Sequence, residues 1–272
     1  MIVHVREVER VEARVLGAVR FVDAATGLAI ETPLRVTGEA GVELTRNRSG
    51  LTVIRRHPDL AAHAESYFEA PATPALGSVE ASLTVDDPSG FYLARRATVA
   101  LPRDADPGNA ANANSLFRAF DVPMYRSPSA ARGVNWTALR VSLSDEDSGD
   151  ALGGVLLRVL SNGDVLARGI TDWRGEALVT VVGVAVMTWS ENDDDTVIAT
   201  GIDATFEAIY SEAHGSARTS AADAAFGRAP SALPAPDPES IESDPDAVKT
   251  TAPVHLTAGA ELPLALQLDL TA

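Results

Sequence analysis

Apolar and polar residues alternate over short runs along most of the chain, and turn-forming residues interrupt them every 8–15 positions. A period of two is the mark of a strand with one buried face, whereas a helix repeats every 3.6 residues. Val155–Leu160 and Val165–Ile170 flank Asn162-Gly163-Asp164. Asn-Gly between two such runs predicts a tight hairpin, because both residues tolerate the left-handed backbone that a two-residue turn needs. Near the C-terminus Leu264, Leu266, Leu268 and Leu270 share one face and predict a final strand over 262–270. Long helical periodicity is missing. Pro58–Glu65 predicts one short helix, and Thr219–Phe226 has room for a helical turn or two. Short strands with regular turns read as β-sandwiches, so the expected fold is all-β.

The chain repeats itself. Residues 15–36 and 138–159 each run strand, acidic turn ending in Gly, short apolar pair, strand. The turns are Asp23–Gly27 and Asp145–Gly149. Asp opens such turns by accepting backbone hydrogen bonds, and Gly supplies the positive φ. A second matched pair follows, Asp86–Tyr92 with Gly90 and Thr171–Ala177 with Gly175. Gly27 and Gly90 lie 63 residues apart, Gly149 and Gly175 only 26, so the first copy carries about 37 extra residues within 54–80. The domain organisation expected is a first β-sandwich over 1–102 with an insertion near 54–80, a linker over 103–132, and a second β-sandwich over 133–272. The second contains a Pro/Ala/Asp-rich excursion over 211–252. Its five prolines from Pro230 to Pro245, with Pro253 just beyond, and its few apolar residues argue against regular structure there.

The second copy resembles the carboxypeptidase-regulatory-like (transthyretin-like, prealbumin-like) β-sandwich family. The matching residues are Ser148-Gly149, Leu152, Val155–Val159, Thr171-Asp172, Gly175, Val179, and Ala258-Gly259 before Leu264–Leu270. The first copy is similar in Asp23, Thr26-Gly27, Leu28, Leu34-Arg35-Val36 and Gly90, and departs by its insertion. The resemblance implies two Ig-like/transthyretin-like β-sandwich domains of non-catalytic character. These motifs are turn chemistry, so they speak to fold more than to function. Such domains occur on secreted enzymes, adhesins and outer-membrane receptors, and in structural parts of phage tails and contractile injection systems. The segment Val122–Pro128 is similar to the inter-domain stretch of such particle proteins.

Charge narrows the partners. The 22 Lys and Arg against 38 Asp and Glu give −16. Nucleic acid and anionic membrane surfaces are disfavoured, because both need a basic footprint. There is no Cys, which removes disulfides, thiolate metal sites and Cys nucleophiles. Charges interrupt Met1–Arg10 within six residues, so a cleavable signal peptide is not expected, and no apolar run reaches the roughly 20 residues of a membrane span. Cytoplasmic synthesis is the expectation.

Little points to chemistry. His57 and His63 are six apart, a poor spacing for one helical face, neither sits in HExxH, and both read as surface residues; no nucleophile elbow or phosphate loop occurs. Ser144–Asp150 and Glu191–Asp195 offer oxygen ligands for Ca²⁺, yet also suit solvated turns. No cofactor, metal or catalytic residue is expected. Four aromatics stand out as contact residues for a ligand or partner: Trp173 in a turn, and Phe117, Phe120 and Tyr125 in the linker. The reading that follows is a structural subunit of a multi-subunit particle such as a phage tail, baseplate or contractile injection system, homo- or hetero-oligomeric. Segments 103–132 and 211–252 would order on neighbouring chains. The alternative is a module for carbohydrate or a cell-surface polymer, using Trp173.

Overall fold

The computed structural model describes residues 15–65, 71–184, 187–190, 196–199 and 201–271. Of these, 46% lie in strands and 9% in helices, so the chain is all-β in class. No helix among the described residues is long and apolar enough to cross a membrane. The segment Met1–Arg10, the acidic run Glu191–Asp195 and the side chain of Trp189 fall outside the described residues.

The first half holds β1 (Gly17–Asp23), β2 (Arg35–Gly38), β3 (Glu43–Arg46), β4 (Thr52–Arg56), α1 (Ala61–Glu65), β5 (Val79–Asp86), β6 (Arg95–Leu101) and β7 (Phe120–Met124). The sheet orders are β3-β4-β1-β7 and β2-β5-β6. Alternation is visible in β6, where Ala97, Val99 and Leu101 are buried. The helix expected over Pro58–Glu65 is a 3-10 turn, Pro58–Leu60, running into α1. His57 caps it, its Nδ1 accepting from Asp59 N at 3.2 Å. His57 and His63 are each only 5% exposed, which corrects their reading as surface residues.

The second half holds β8 (Thr137–Asp145), β9 (Ala151–Gly153), β10 (Leu156–Ser161), β11 (Asp164–Ile170), β12 (Glu176–Val181), β13 (Met187–Ser190), β14 (Thr196–Ala199), β15 (Gly201–Tyr210), β16 (Ala217–Thr219), α2 (Ala221–Ala225), α3 (Pro238–Ser243), β17 (Val248–Thr257) and β18 (Glu261–Leu268). One sheet runs β11-β10-β15-β17, another β12-β8-β9-β16. The expected final strand is β18, which pairs β8 in parallel from Glu261↔Ala138 to Leu268↔Asp145. Both sheets feed one core: Leu139, Val141 and Val179 from one, Val159, Phe206 and Leu256 from the other. This is a sandwich-like arrangement. At the β10–β11 hairpin Asn162 (φ 53°) and Gly163 (φ 88°) both take the left-handed backbone expected of Asn-Gly.

The repeat is explicit in four buried aspartates. Asp23 Oδ1 accepts from the amides of Ala25 and Thr26, both at 3.0 Å, with Gly27 at φ +69°. Asp145 Oδ2 accepts from Ser148 N at 3.2 Å and its hydroxyl at 2.5 Å, with Gly149 at φ +72°. Asp87 accepts from Ser89 N and Tyr92 N, ahead of Gly90 at φ +71°. Asp172 accepts from Arg174 N and Glu176 N, ahead of Gly175 at φ +73°. Each carboxylate replaces the backbone acceptors that a tight reversal leaves out.

The excursion 211–252 differs from expectation. It contains β16, α2, α3 and the start of β17, and it packs on its own chain. Asp237 caps α3 by accepting from Ser240 N at 3.2 Å, and Pro238 opens the helix. Ile241 is fully buried with Leu156 and Ile209, a cross-strand pair of β10 and β15. Glu242 takes Arg158 at 2.5 Å and Arg168 at 3.1 Å. The α3 end of the segment therefore straps the outer face of its own sheet.

Contacts divide the chain into two compact units, one of Met1–Arg20, Gly38–Ser82 and Thr98–Asp121, the other of Phe21–Thr37, Leu83–Ala97 and Val122–Ala272. The stretch 103–132 contributes residues 103–121 to the first and 122–132 to the second. It carries a 3-10 turn at Pro107–Asn109 and strand β7.

Candidate functional site

Within the first unit the chain after β6 makes a closed loop. Asp104 N donates to Asn114 O at 3.0 Å, and Leu116 N donates to Asp104 O at 2.7 Å. Inside it Asp104 accepts from Asp106 N and from Asn109 Nδ2, at 2.9 and 2.8 Å. Arg103 closes the base, with Nε donating to Ser115 O at 3.0 Å and Nη2 to Ala113 O at 2.6 Å. This geometry brings Leu116 and Phe117 beside Arg103. A cavity of about 200 Å³ lies there, walled by Val15, Leu16, His63, Arg103, Leu116 and Phe117, with Pro102 and Ala105 completing it.

Arg103 is 8% exposed, and among the described residues no carboxylate lies within ion-pair distance of it. Burial pushes its pKa down, and the nearby Arg118 adds to that. It stays charged nonetheless, since arginine cannot be deprotonated in proteins. The site is an apolar hollow with a cation in its wall.

The four aromatics singled out in the sequence do not gather at one place. Phe117 is 58% exposed and lines the cavity. Phe120 is half-buried in β7. Tyr125 is 2% exposed beneath the Arg95 guanidinium, 5.7 Å from the ring centroid; it is a core residue, which corrects its reading as a contact. Burial pushes its phenol up to about 12. Trp173 is half-buried in its turn, and the Arg174 guanidinium stands 5.7 Å from its ring centroid.

Sequence reasoning missed the buried arginines. Arg95 has no exposed surface; it donates to Pro123 O at 2.8 Å and to Glu239 of α3. Next to it Arg96 N donates to Pro236 O at 2.8 Å. Arg126 donates to Asp23 Oδ2 at 2.9 Å between the rings of Phe91 and Trp136, at 5.1 and 4.6 Å. Tyr92 OH donates to the same oxygen at 2.9 Å, and burial together with that carboxylate raises its pKa. The available signal was register: Arg95 falls on the same face of β6 as Ala97, Val99 and Leu101. These groups are spent on each other and on backbone carbonyls.

No group of three or more His, Asp or Glu among the described residues is placed to hold a metal. In the first acidic loop the Asp145 carboxylate is engaged by Ser148, and Asp150 Oδ1 accepts from Ala221 N at 3.1 Å. Comparison with family models, with curated proteins and with solved structures finds no match for this chain.

Proposed function

We propose that this chain is a non-catalytic structural subunit of a multi-subunit particle such as a phage tail, baseplate or contractile injection system. In this reading it is built from two transthyretin-like β-sandwiches. The observation that carries it is the loop between α2 and the strap. Residues 225–233 stand out from the chain, with Phe226 73% and Leu233 57% exposed. The flanks are fixed, α2 by its Ser220 cap and the strap by Arg95, Arg96 and Arg158. Large apolar side chains at a fixed, exposed place suit docking to another subunit, since aromatic and aliphatic anchors dominate interfaces. Arg95, Arg126 and Arg158 act as struts between segments of the chain, which suits a scaffold. At −16 per copy, assembly depends on salt or on basic partners.

The alternative, glycan stacking on Trp173, is less well supported, because that ring is half-buried, whereas Phe226, which likewise carries an arginine over its ring, is 73% exposed. The deciding experiment is to tag the chain in its native cells and run gradient centrifugation with mass spectrometry. Co-sedimentation with megadalton particles, reduced by Phe226→Ser with Leu233→Ser, is the expected result. A free chain or small oligomer without such companions overturns the reading.

A further inference from the structure

We propose that the cavity beside Arg103 binds a small organic monocarboxylate with a flat apolar body about one aromatic ring in size. An apolar hollow of about 150 Å³ already accepts benzene, and this one has about 200 Å³, enough for a ring and a carboxylate. Its walls include Val15, Leu16, Leu116 and Phe117, which suit the ring.

Arg103 supplies the charge. The other buried arginine, Arg95, holds Glu239, and the half-buried Arg126 holds Asp23. Arg103 has only two backbone carbonyls, in a chain with 38 acidic residues. Carbonyls satisfy donors without neutralising charge, so a buried guanidinium left this way is costly. Among the described residues none accepts from Nη1. An anion entering the cavity meets Arg103 in its wall, and Arg118 adds to the positive potential there. A guanidinium presents parallel donors that match a planar carboxylate. The apolar walls exclude a phosphate, whose further oxygens would be left without donors.

The probes are benzoate and its neutral isostere benzamide, titrated into the full chain and followed by ligand-detected NMR. Benzoate binds, and benzamide binds at least about tenfold more weakly, a difference of about 1.4 kcal/mol. Arg103→Gln removes that preference. Ala105→Phe, at a half-exposed wall position, blocks both ligands and leaves the fold intact. If Arg103→Gln does not fold, the native comparison and Ala105→Phe decide. Equal binding of the two probes, no binding of either, or benzoate binding that survives Ala105→Phe overturns the proposal.

Discussion

Arg158 of β10 stands directly opposite Arg168 of β11, and one carboxylate from α3, Glu242, takes both. Like charges across a strand pair repel. Arg158 also pairs with Glu207 of β15, its partner on the other side. Removing Glu242 thus leaves two facing guanidinium groups with only Glu207, on the far side of Arg158, to offset them, and loosens that end of the strap.

Glu242→Gln therefore destabilises by about 1.5–3 kcal/mol, the range for a hydrogen bond to a charged group. That corresponds to a fall in Tm of roughly 3–10 °C for a chain of this size. Glu146→Gln, on an exposed turn, shifts Tm within scan error. Differential scanning calorimetry of both variants checks this, and equal Tm values would remove the strap from the stability of the sheet.

Acid weakens the fold. Glu242 is held low by Arg168 and Arg158 against the opposing effect of burial, and Asp145 by the Ser148 hydroxyl. A carboxylate with a depressed folded pKa contributes stability that is present above its unfolded value and lost as pH falls through the folded one. The loss therefore begins below about pH 4. Urea midpoints stay level from pH 7 to pH 5 and drop toward pH 2. Ser148→Ala lessens the acid drop attributable to Asp145.

Base acts through tyrosine. Burial raises Tyr125 to about 12. A group whose folded pKa is raised contributes stability that is fully present below its unfolded pKa, about 10, and lost as pH rises through the folded one. Unfolding between pH 10 and 12 is therefore coupled to phenol ionisation. Absorbance at about 295 nm follows it, and Tyr125→Phe moves the alkaline midpoint upward.

The aspartate turns and the Asn162-Gly163 hairpin were legible because their causes are local: a carboxylate accepts from amides two to five residues on, and Gly takes the positive φ. The strap was not, since Arg95 and Glu239 lie 144 residues apart and proline-rich composition reads as disorder. One local clue existed, Asp237-Pro238-Glu239, a cap, a helix-opening proline and an acidic first turn. Burial of Tyr125 and the unpaired state of Arg103 depend on neighbours distant in sequence, and no periodicity encodes them. The cavity was half legible, through Phe117.

The glycine turns differ in their tolerance. A Cβ on Gly149 meets nothing within 4 Å, so Gly149→Ala incurs only the left-handed backbone penalty, roughly 1–2 kcal/mol. A Cβ on Gly175 would lie 2.2 Å from Leu143 O and 3.1 Å from Leu152 N, both rigid strand backbone. Gly175→Ala adds overpacking of about 1–3 kcal/mol to the same penalty. Denaturant melts of the two variants should differ by at least the overpacking share; matching values would mean that β8 and β9 yield at this contact.

Asp23 and Arg126 form the most enclosed ion pair among the described residues, and their surroundings make the pair testable by coupling. Asp23 Oδ2 takes both the Arg126 Nε and the Tyr92 hydroxyl, so removing the arginine leaves a buried carboxylate with only a neutral donor on that oxygen. Breaking such a pair costs about 3–5 kcal/mol, whereas removing both charges together costs less. Arg126→Met keeps the stem between Phe91 and Trp136, so packing is largely retained. Asp23→Asn keeps the turn acceptor for Ala25 and Thr26. The double variant is expected to be more stable than the sum of the single losses by about 1–3 kcal/mol, within the range for residues in contact. Tryptophan emission should change more with Arg126→Met than with Asp23→Asn, because it is the guanidinium that sits over Trp136, 4.6 Å from the ring centroid. Strict additivity would show that the two charges are stabilised separately by their hydrogen bonds and not by each other.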